Sequence, residues 1–277
     1  MAKKLIVILF TVVWLSKSIY AGEKIRIVSL TPSITEILFA LGLDEEIVGV
    51  SSFCNYPKKT SNRPKVGSFS KPDVEKIISL KPDIVFCTDM EQKEVINQLG
   101  QLKLNVYISN PKNVEELFLS IREIGFLTNR TKKAETLINN MRKDINVIVE
   151  KTKNIPFDKR PKVFLILWDE PLMTAGYGSF IDELIYLAGG INIAHRLKRP
   201  YSYFSLERLI KEDPDCIIAT HMGKNKIDFK KNFIWNTLKA TRDNRIYTDI
   251  EPDILLRPGP RLTEAIFKIH KRLYPEE

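Results

Sequence analysis

Apolar residues in this chain fall into two periods, and the order in which the periods follow one another repeats. A β-branched run over residues 24–30 (KIRIVSL) predicts a strand, and Thr31-Pro32-Ser33 then opens a helix over 34–41 that Gly42 closes. The same order returns later. Residues 162–168 (KVFLILW) predict a strand, a Gly-containing turn runs to Ser179, and a helix over 180–188 ends at Gly189-Gly190. The two helices match position by position, TEILFALG from Thr35 against DELIYLAG from Asp182.

A second match is tighter. DVEKIISLKPDIV from Asp73 lies without gaps on SLERLIKEDPDCI from Ser205, at a constant offset of 132. Asp73 and Ser205 are both N-cap residues, whose side-chain oxygens accept a free amide of the first helical turn. Pro82 and Pro214 both stop the helix, and an Asp and an apolar strand follow each, over 84–87 and 216–219. Strands alternating with helices at this spacing imply an α/β fold with parallel, helix-covered sheets, and the repetition implies two similar lobes. Between them no Gly or Pro occurs from 126 to 155, and Ala134, Leu137, Ile138, Met141, Ile145 and Ile148 form one apolar stripe. A helix of about 25 residues would span about 37 Å, a rigid strut between lobes. The alternative is an ordinary surface helix of a single domain. The expected division is an amino-terminal lobe over 22–125, a connecting helix over 126–158 and a carboxy-terminal lobe over 159–277.

The first 21 residues read as an address. Lys3 and Lys4 precede an apolar run from Leu5 to Leu15, and a polar stretch leads to Tyr20-Ala21-Gly22, the order of a secretory signal cleaved after Ala21. The run is short for a bilayer span, so an uncleaved membrane anchor is the alternative. No Cys lies near the site for lipid attachment. Composition then adds little: 44% hydrophobic and 28% charged residues are ordinary for a globular chain and exclude disordered and polytopic membrane classes. The net charge of +9 becomes +6 once Lys3, Lys4 and Lys17 leave with the signal. No helix-turn-helix, zinc-finger or aromatic RNA-binding pattern accompanies it, so the charge reads as a solvated basic surface rather than a nucleic-acid site.

Catalytic chemistry is hard to find. There is no Walker loop, zinc helix or nucleophile elbow. Gly176-Tyr-Gly178 follows a strand and precedes a helix like half a dinucleotide fingerprint, but Ile181 replaces the third Gly. Cys54, Cys87 and Cys216 lack metal-ligand spacing and read as buried thiols, so neither a metal site nor a cofactor is expected. Of the three His, His270 reads as surface, while His221 follows the strand over 216–219, where ligand clefts form in parallel sheets. An exported two-lobed chain with a stiff connector and no catalytic set is a receptor rather than an enzyme.

Five stretches carry a resemblance: IVSLTPSITE from Ile27, VGVSSFCNYP from Val48, VGSF from Val66, EKIISLKPD from Glu75 and GGIN from Gly189. With the repeat and the connector, the chain resembles the substrate-binding proteins of ABC importers, in the class whose lobes are joined by one long backbone helix. Members of that class carry cobalamin, iron-siderophores or haem, and the cobalamin-binding members are the most similar. The resemblance implies a monomeric periplasmic receptor that serves an inner-membrane permease and its ATPase. It implies that Glu75 and Glu207, one on each lobe, dock onto permease arginines; two first-turn acids favouring helix dipoles are the alternative. It also implies a ligand cleft lined by Ser33, Tyr56, Phe69, Thr88, Met173, Tyr201, His221, Asp253 and Arg257. Thr88 and Met173 stand where cobalamin-binding members carry aromatics, and the half-cystine those members have beside the Gly-Gly turn is Ala188 here. Trp168 and Tyr177 are neighbouring rings that would restore aromatic area. Arg257 and Arg261 flank the rigid Pro258-Gly-Pro260 turn and are the basic groups that an anionic iron chelate would use. Ferric siderophore or haem is the alternative cargo, haem with His221 or Tyr201 as axial ligand. A nucleotide-using exported enzyme is the rival from another class.

Overall fold

The computed structural model describes residues 24–220, 229 and 233–276. The expectations for residues 1–21 and for His221 lie outside these. The first lobe runs β1 (Ile27–Ser29), α1 (Pro32–Ala40), β2 (Ile47–Val50), α2 (Val74–Ser79), β3 (Ile84–Cys87), α3 (Lys93–Gln101) and β4 (Val106–Ile108). Then come α4 (Val114–Leu127) and α5 (Thr131–Thr152). The second lobe opens with β5 (Lys162–Ile166), β6 (Trp168–Asp169), β7 (Leu172–Ala175), α6 (Phe180–Leu187), β8 (Ile191–Asn192) and β9 (Tyr201–Tyr203). It continues through α7 (Leu206–Glu212), β10 (Cys216–Ala219), α8 (Phe233–Asn236), α9 (Lys239–Arg242), β11 (Ile246–Tyr247), α10 (Pro252–Leu256) and α11 (Leu262–Leu273).

The first sheet has the order β2-β1-β3-β4 and the second β11-β10-β5-β8, all pairs parallel. Read from its other end, the second repeats the first, with β5 in the place of β1 and β10 in the place of β3. The chain is therefore an α/β protein of two similar lobes, as the repeat implies. The second lobe adds an antiparallel sheet, β6-β7-β9. It splits the apolar run over 162–168 into two strands, because the Leu167 amide turns to the Met173 carbonyl at 2.9 Å.

Local chemistry repeats with the topology. Asp73 accepts from the Lys76 amide and Ser205 from the Arg208 amide, capping α2 and α7. At the far ends, Lys81 (φ 46) and Asp213 (φ 41) both take the left-handed conformation that terminates a helix. Arg26 donates to the Leu80 carbonyl and Lys162 to the Glu212 carbonyl, satisfying the orphan acceptors of α2 and α7. Asp83 accepts from the Arg26 amide and Asp215 from the Lys162 amide, each at 2.8 Å, which locks β3 beside β1 and β10 beside β5.

The stretch free of Gly and Pro contains one break. α4 ends at Leu127 and α5 begins at Thr131, because Asn129 adopts φ 56, a conformation Asn tolerates better than other side chains. α5 is 22 residues long, about 33 Å. Its stripe of Ala134, Ile138, Met141, Ile145 and Ile148 is buried in one apolar cluster with Phe118 and Ile121 of α4, Leu184 of α6 and Ile269 of α11. Residues of both lobes thus share a core along this helix, at about 25 cal/mol per Å² of apolar surface removed from water. His270 is buried on the same side of α11, its Nδ1 3.1 Å from the Ala188 carbonyl oxygen, which corrects its reading as a surface residue. Among the described residues no helix is long and apolar enough to cross a membrane.

Candidate functional site: the inter-lobe cleft

Four of the sequence-derived residues meet where the lobes touch. The Pro258-Gly-Pro260 turn after α10 brings Gly259 against the Ser33 backbone at the start of α1. Beside it Arg257 donates to Asn55 Oδ1 at 2.7 Å and pairs with Asp253 at 2.8 Å, while Asn55 donates to Asp253 Oδ2 at 2.9 Å. Arg261 lies 4.0 Å over the ring of Tyr56, a cation–π contact between lobes. Its guanidinium clasps Glu36 with two parallel bonds of 2.7 and 2.8 Å, and Arg257 approaches the same carboxylate at 3.4 Å. Glu36 is only 4% exposed. The hydrogen bonds that Arg261 donates to Glu36 hold the Arg261 pKa above its ordinary value against the cost of burial. Arg257 and Arg261 are therefore already paired with Glu36 and Asp253, a fixed cross-lobe polar cluster rather than two free cations.

On the first lobe, Phe69 and Thr88 are half-buried and held by one amide. Gln92 accepts from the Thr88 backbone at 2.9 Å and donates to the carbonyls of Phe69 (2.7 Å) and Leu30 (3.1 Å). It ties the carboxy ends of β1 and β3 to the loop between β2 and α2, so these residues share one rim. On the second lobe, Trp168, Met173 and Tyr203 face one another across β6, β7 and β9, and Tyr201 pairs with Ala175 two residues along. Side chains two apart on a strand share a face, so Tyr201 and Tyr203 belong to one surface with Met173 and Trp168. Trp168, Tyr201 and Tyr203 are exposed there. Burial raises the Tyr201 pKa, and the charge of Glu91 at the start of the first lobe's α3 region raises it further.

Glu75 and Glu207 are exposed in the first turns of α2 and α7. Met173 is half-buried against the core. Tyr177 stands apart from the Trp168 surface, its ring edge-on to His195 at 5.2 Å, and the His195 Nδ1 lies 2.8 Å from Asp182. The Gly176-Tyr-Gly178 turn is a packing device: a Cβ on Gly176 would sit 2.8 Å from Leu197 and 2.9 Å from the Ala194 carbonyl. The helix it leads into is capped by Ser179 and carries Asp182 and Glu183 in its first turn, which repels a phosphate. Cys54, Cys87 and Cys216 are buried thiols, with Cys87 and Cys216 pushed up to about 12 by burial. No group of three potential metal ligands occurs among the described residues.

Sequence reasoning missed Glu36, Asn55 and Gln92. Glu36 left a signal, an acid set between Ile34, Thr35, Ile37 and Leu38 on a buried helix face. Gln92 left none, because a single polar residue before an amphipathic helix looks like surface.

Two α/β lobes packed along one long helix and joined by a cross-lobe polar cluster have the architecture of a two-lobed binding protein. The chain belongs to the periplasmic binding protein family, whose model matches residues 27–251. It is 33% identical over 259 residues to an ABC transporter substrate-binding lipoprotein of Bacillus subtilis, covering 92% of this chain and 81% of that one. It is 24% identical over 267 residues to a vitamin B12-binding protein of Vibrio parahaemolyticus, 94% of each. Among solved structures, the apo periplasmic haem-binding protein of Roseiflexus superposes with a TM-score of 0.81 at 26% identity, over 91% of this chain and 99% of that one. The chain is thus a substrate-binding protein of an ABC importer.

Proposed function

We propose that this chain is exported by its first 21 residues, holds cobalamin or a related corrinoid between its lobes as a monomer, and delivers it to an inner-membrane permease and its ATPase. The observation that carries the corrinoid reading is the surface of Trp168, Met173, Tyr201 and Tyr203 opposite the Phe69–Thr88 rim. Flat rings suit the large apolar face of a corrin, and Ser33, Thr88 and Asn55 supply neutral partners for its amide edges. Neutralisation of Arg257 and Arg261 by Glu36 and Asp253 argues against an anionic chelate at that corner. The vitamin B12-binding relative supports the same reading.

Haem or an anionic siderophore is the second reading. Arg196, Lys198 and Arg199 are exposed and form no ion pair among the described residues, and they lead directly into Tyr201. They would receive carboxylate arms, with the Tyr201 phenol as an axial ligand. Titrating the mature protein with cyanocobalamin, cobinamide, haemin and ferric siderophores, followed by absorbance and thermal shift, separates the readings. A response to the corrinoids that Tyr201→Ala and Phe69→Ala weaken at least about tenfold, about 1.4 kcal/mol each, is expected. Silence toward both corrinoids with a response to haemin transfers the assignment. Delivery is tested by Glu75→Arg with Glu207→Arg, which leaves ligand affinity intact and abolishes stimulation of the importer's ATPase.

A further inference from the structure

The duplicated unit offers a test of which positions serve the fold and which serve something else. Buried and capping positions match between α2 and α7 for reasons already given: Ile77 and Leu209 are fully buried, and Asp73 and Ser205 are caps. Outward positions need not match, and several do not. Ser79 aligns with Lys211 and Lys81 with Asp213. Two outward positions are nevertheless identical. Glu75 aligns with Glu207, and one turn further Ile78 aligns with Ile210, exposed by 42% and 44%. Residues three apart share a helix face, so each lobe displays a carboxylate beside an isoleucine.

Both carboxylates are exposed. Glu75 and Glu207 make no hydrogen bond or ion pair among the described residues. The neighbouring cations are turned back onto their own lobes: Lys76 pairs with Asp73 at 3.3 Å, and Arg208 lies 5.1 Å over the Phe204 ring. Ile78 and Ile210 belong to none of the apolar clusters of the described residues, whereas their neighbours Ile77 and Leu209 are fully buried in them.

We infer that each lobe docks through a bipartite foot, Glu75 with Ile78 and Glu207 with Ile210, and that the occupant is the membrane permease pair. This rests on the permease reading of the two glutamates and adds an apolar half to each contact. The fitting surface is a guanidinium beside an apolar recess, presented twice by two like subunits. A symmetric foot-to-foot contact between two copies is disfavoured, because it would set like carboxylates against each other.

The test uses right-side-out membrane vesicles from the bacterium that encodes the chain, with its own copy deleted, and the labelled exported protein. Ile78→Ser and Ile210→Ser each weaken association about tenfold and together about a hundredfold, with melting temperature, ligand affinity and salt dependence unchanged. Glu75→Gln with Glu207→Gln weakens association and flattens its salt dependence. A photoreactive benzoylphenylalanine at 78, and separately at 210, gives an adduct that mass spectrometry identifies as an ABC permease subunit. If the isoleucine variants bind like wild type while the glutamine pair does not, the apolar half of the foot is wrong and the glutamate reading survives. If neither pair changes association, both fall. Adducts formed with a second copy of the chain overturn the choice of occupant.

Discussion

Glu36 in α1 and Glu183 in α6 occupy the same position of the matched helices, and each reaches across to the other lobe. Glu36 is met by the guanidiniums of Arg261 and Arg257. Glu183 accepts the Val114 amide at the start of α4, at 2.8 Å, and has Glu115, Glu116 and Asp182 as charged neighbours. One repeat position thus became a fully paired buried anchor in one lobe and a lone carboxylate on a helix N-terminus in the other. The difference lies in the partners: the second lobe sends an Arg-bearing loop across, and the first sends bare backbone. What duplication preserves is the reach across the gap, and what diverges is its strength.

Breaking the stronger anchor has the largest expected effect. Glu36→Ala strips Arg261, at 13% side-chain exposure, of its two-bond carboxylate partner, while Arg257 keeps Asp253. Loss of one partner of a buried pair costs about 3–5 kcal/mol, against about 1 kcal/mol for the single hydrogen bond removed by Glu183→Ala. Urea denaturation at pH 7 measures both. Equal losses would mean that the two links do not differ as their partners imply.

The comparison sharpens where the lobes do agree. Asp83→Ala and Asp215→Ala each remove a charged hydrogen bond to the first strand of the lobe and are expected to cost about 1.5–3 kcal/mol, by similar amounts. Asp215 also accepts from Lys239 at 2.6 Å, and its pKa is lowered although burial opposes the shift. A markedly smaller loss at 83 would show that the Lys239 bond, which the first lobe lacks, carries the difference. Below these come the helix caps, where Asp73→Ala and Ser205→Ala should each lower stability by about 1 kcal/mol.

How much of this was legible follows from where each signal sits. Caps, prolines and apolar runs are local, so the offset of 132 exposed the repeated unit and with it the matched sheet orders. The break at Asn129 was not legible, since nothing in the composition of 126–155 marks one Asn as left-handed. The antiparallel sheet was missed because β6 and β9 are two and three residues long and exist only through pairing with β7. At the cleft, aromatic and basic residues were recognisable singly. Their pairing was not: Arg257 and Glu36 are 221 positions apart, and only the folded chain shows that the guanidinium is already engaged.

The weaker link carries the smallest prediction and a pH dependence of its own. Burial raises the Glu183 pKa, the Val114 amide opposes that, and Glu115, Glu116 and Asp182 add to the rise. An acid whose pKa is higher in the folded than in the unfolded state binds its proton more tightly when folded. Its ionisation therefore removes stability as pH rises from the unfolded carboxylate range through the raised value, and the loss is complete above that value. Glu183→Gln keeps an oxygen for the Val114 amide and discards the charge. Because Glu183 remains partly exposed, screening limits the gain to less than about 1 kcal/mol, a rise of about 1 °C in melting temperature at pH 7.5. Thermal scans at pH 7.5 and pH 4 should show the variant ahead at the first and level with wild type at the second. A variant that melts lower at pH 7.5 would mean that the positive end of α4 favours the carboxylate more than its acidic neighbours oppose it, and that the second lobe's reach is electrostatically as strong as the first's.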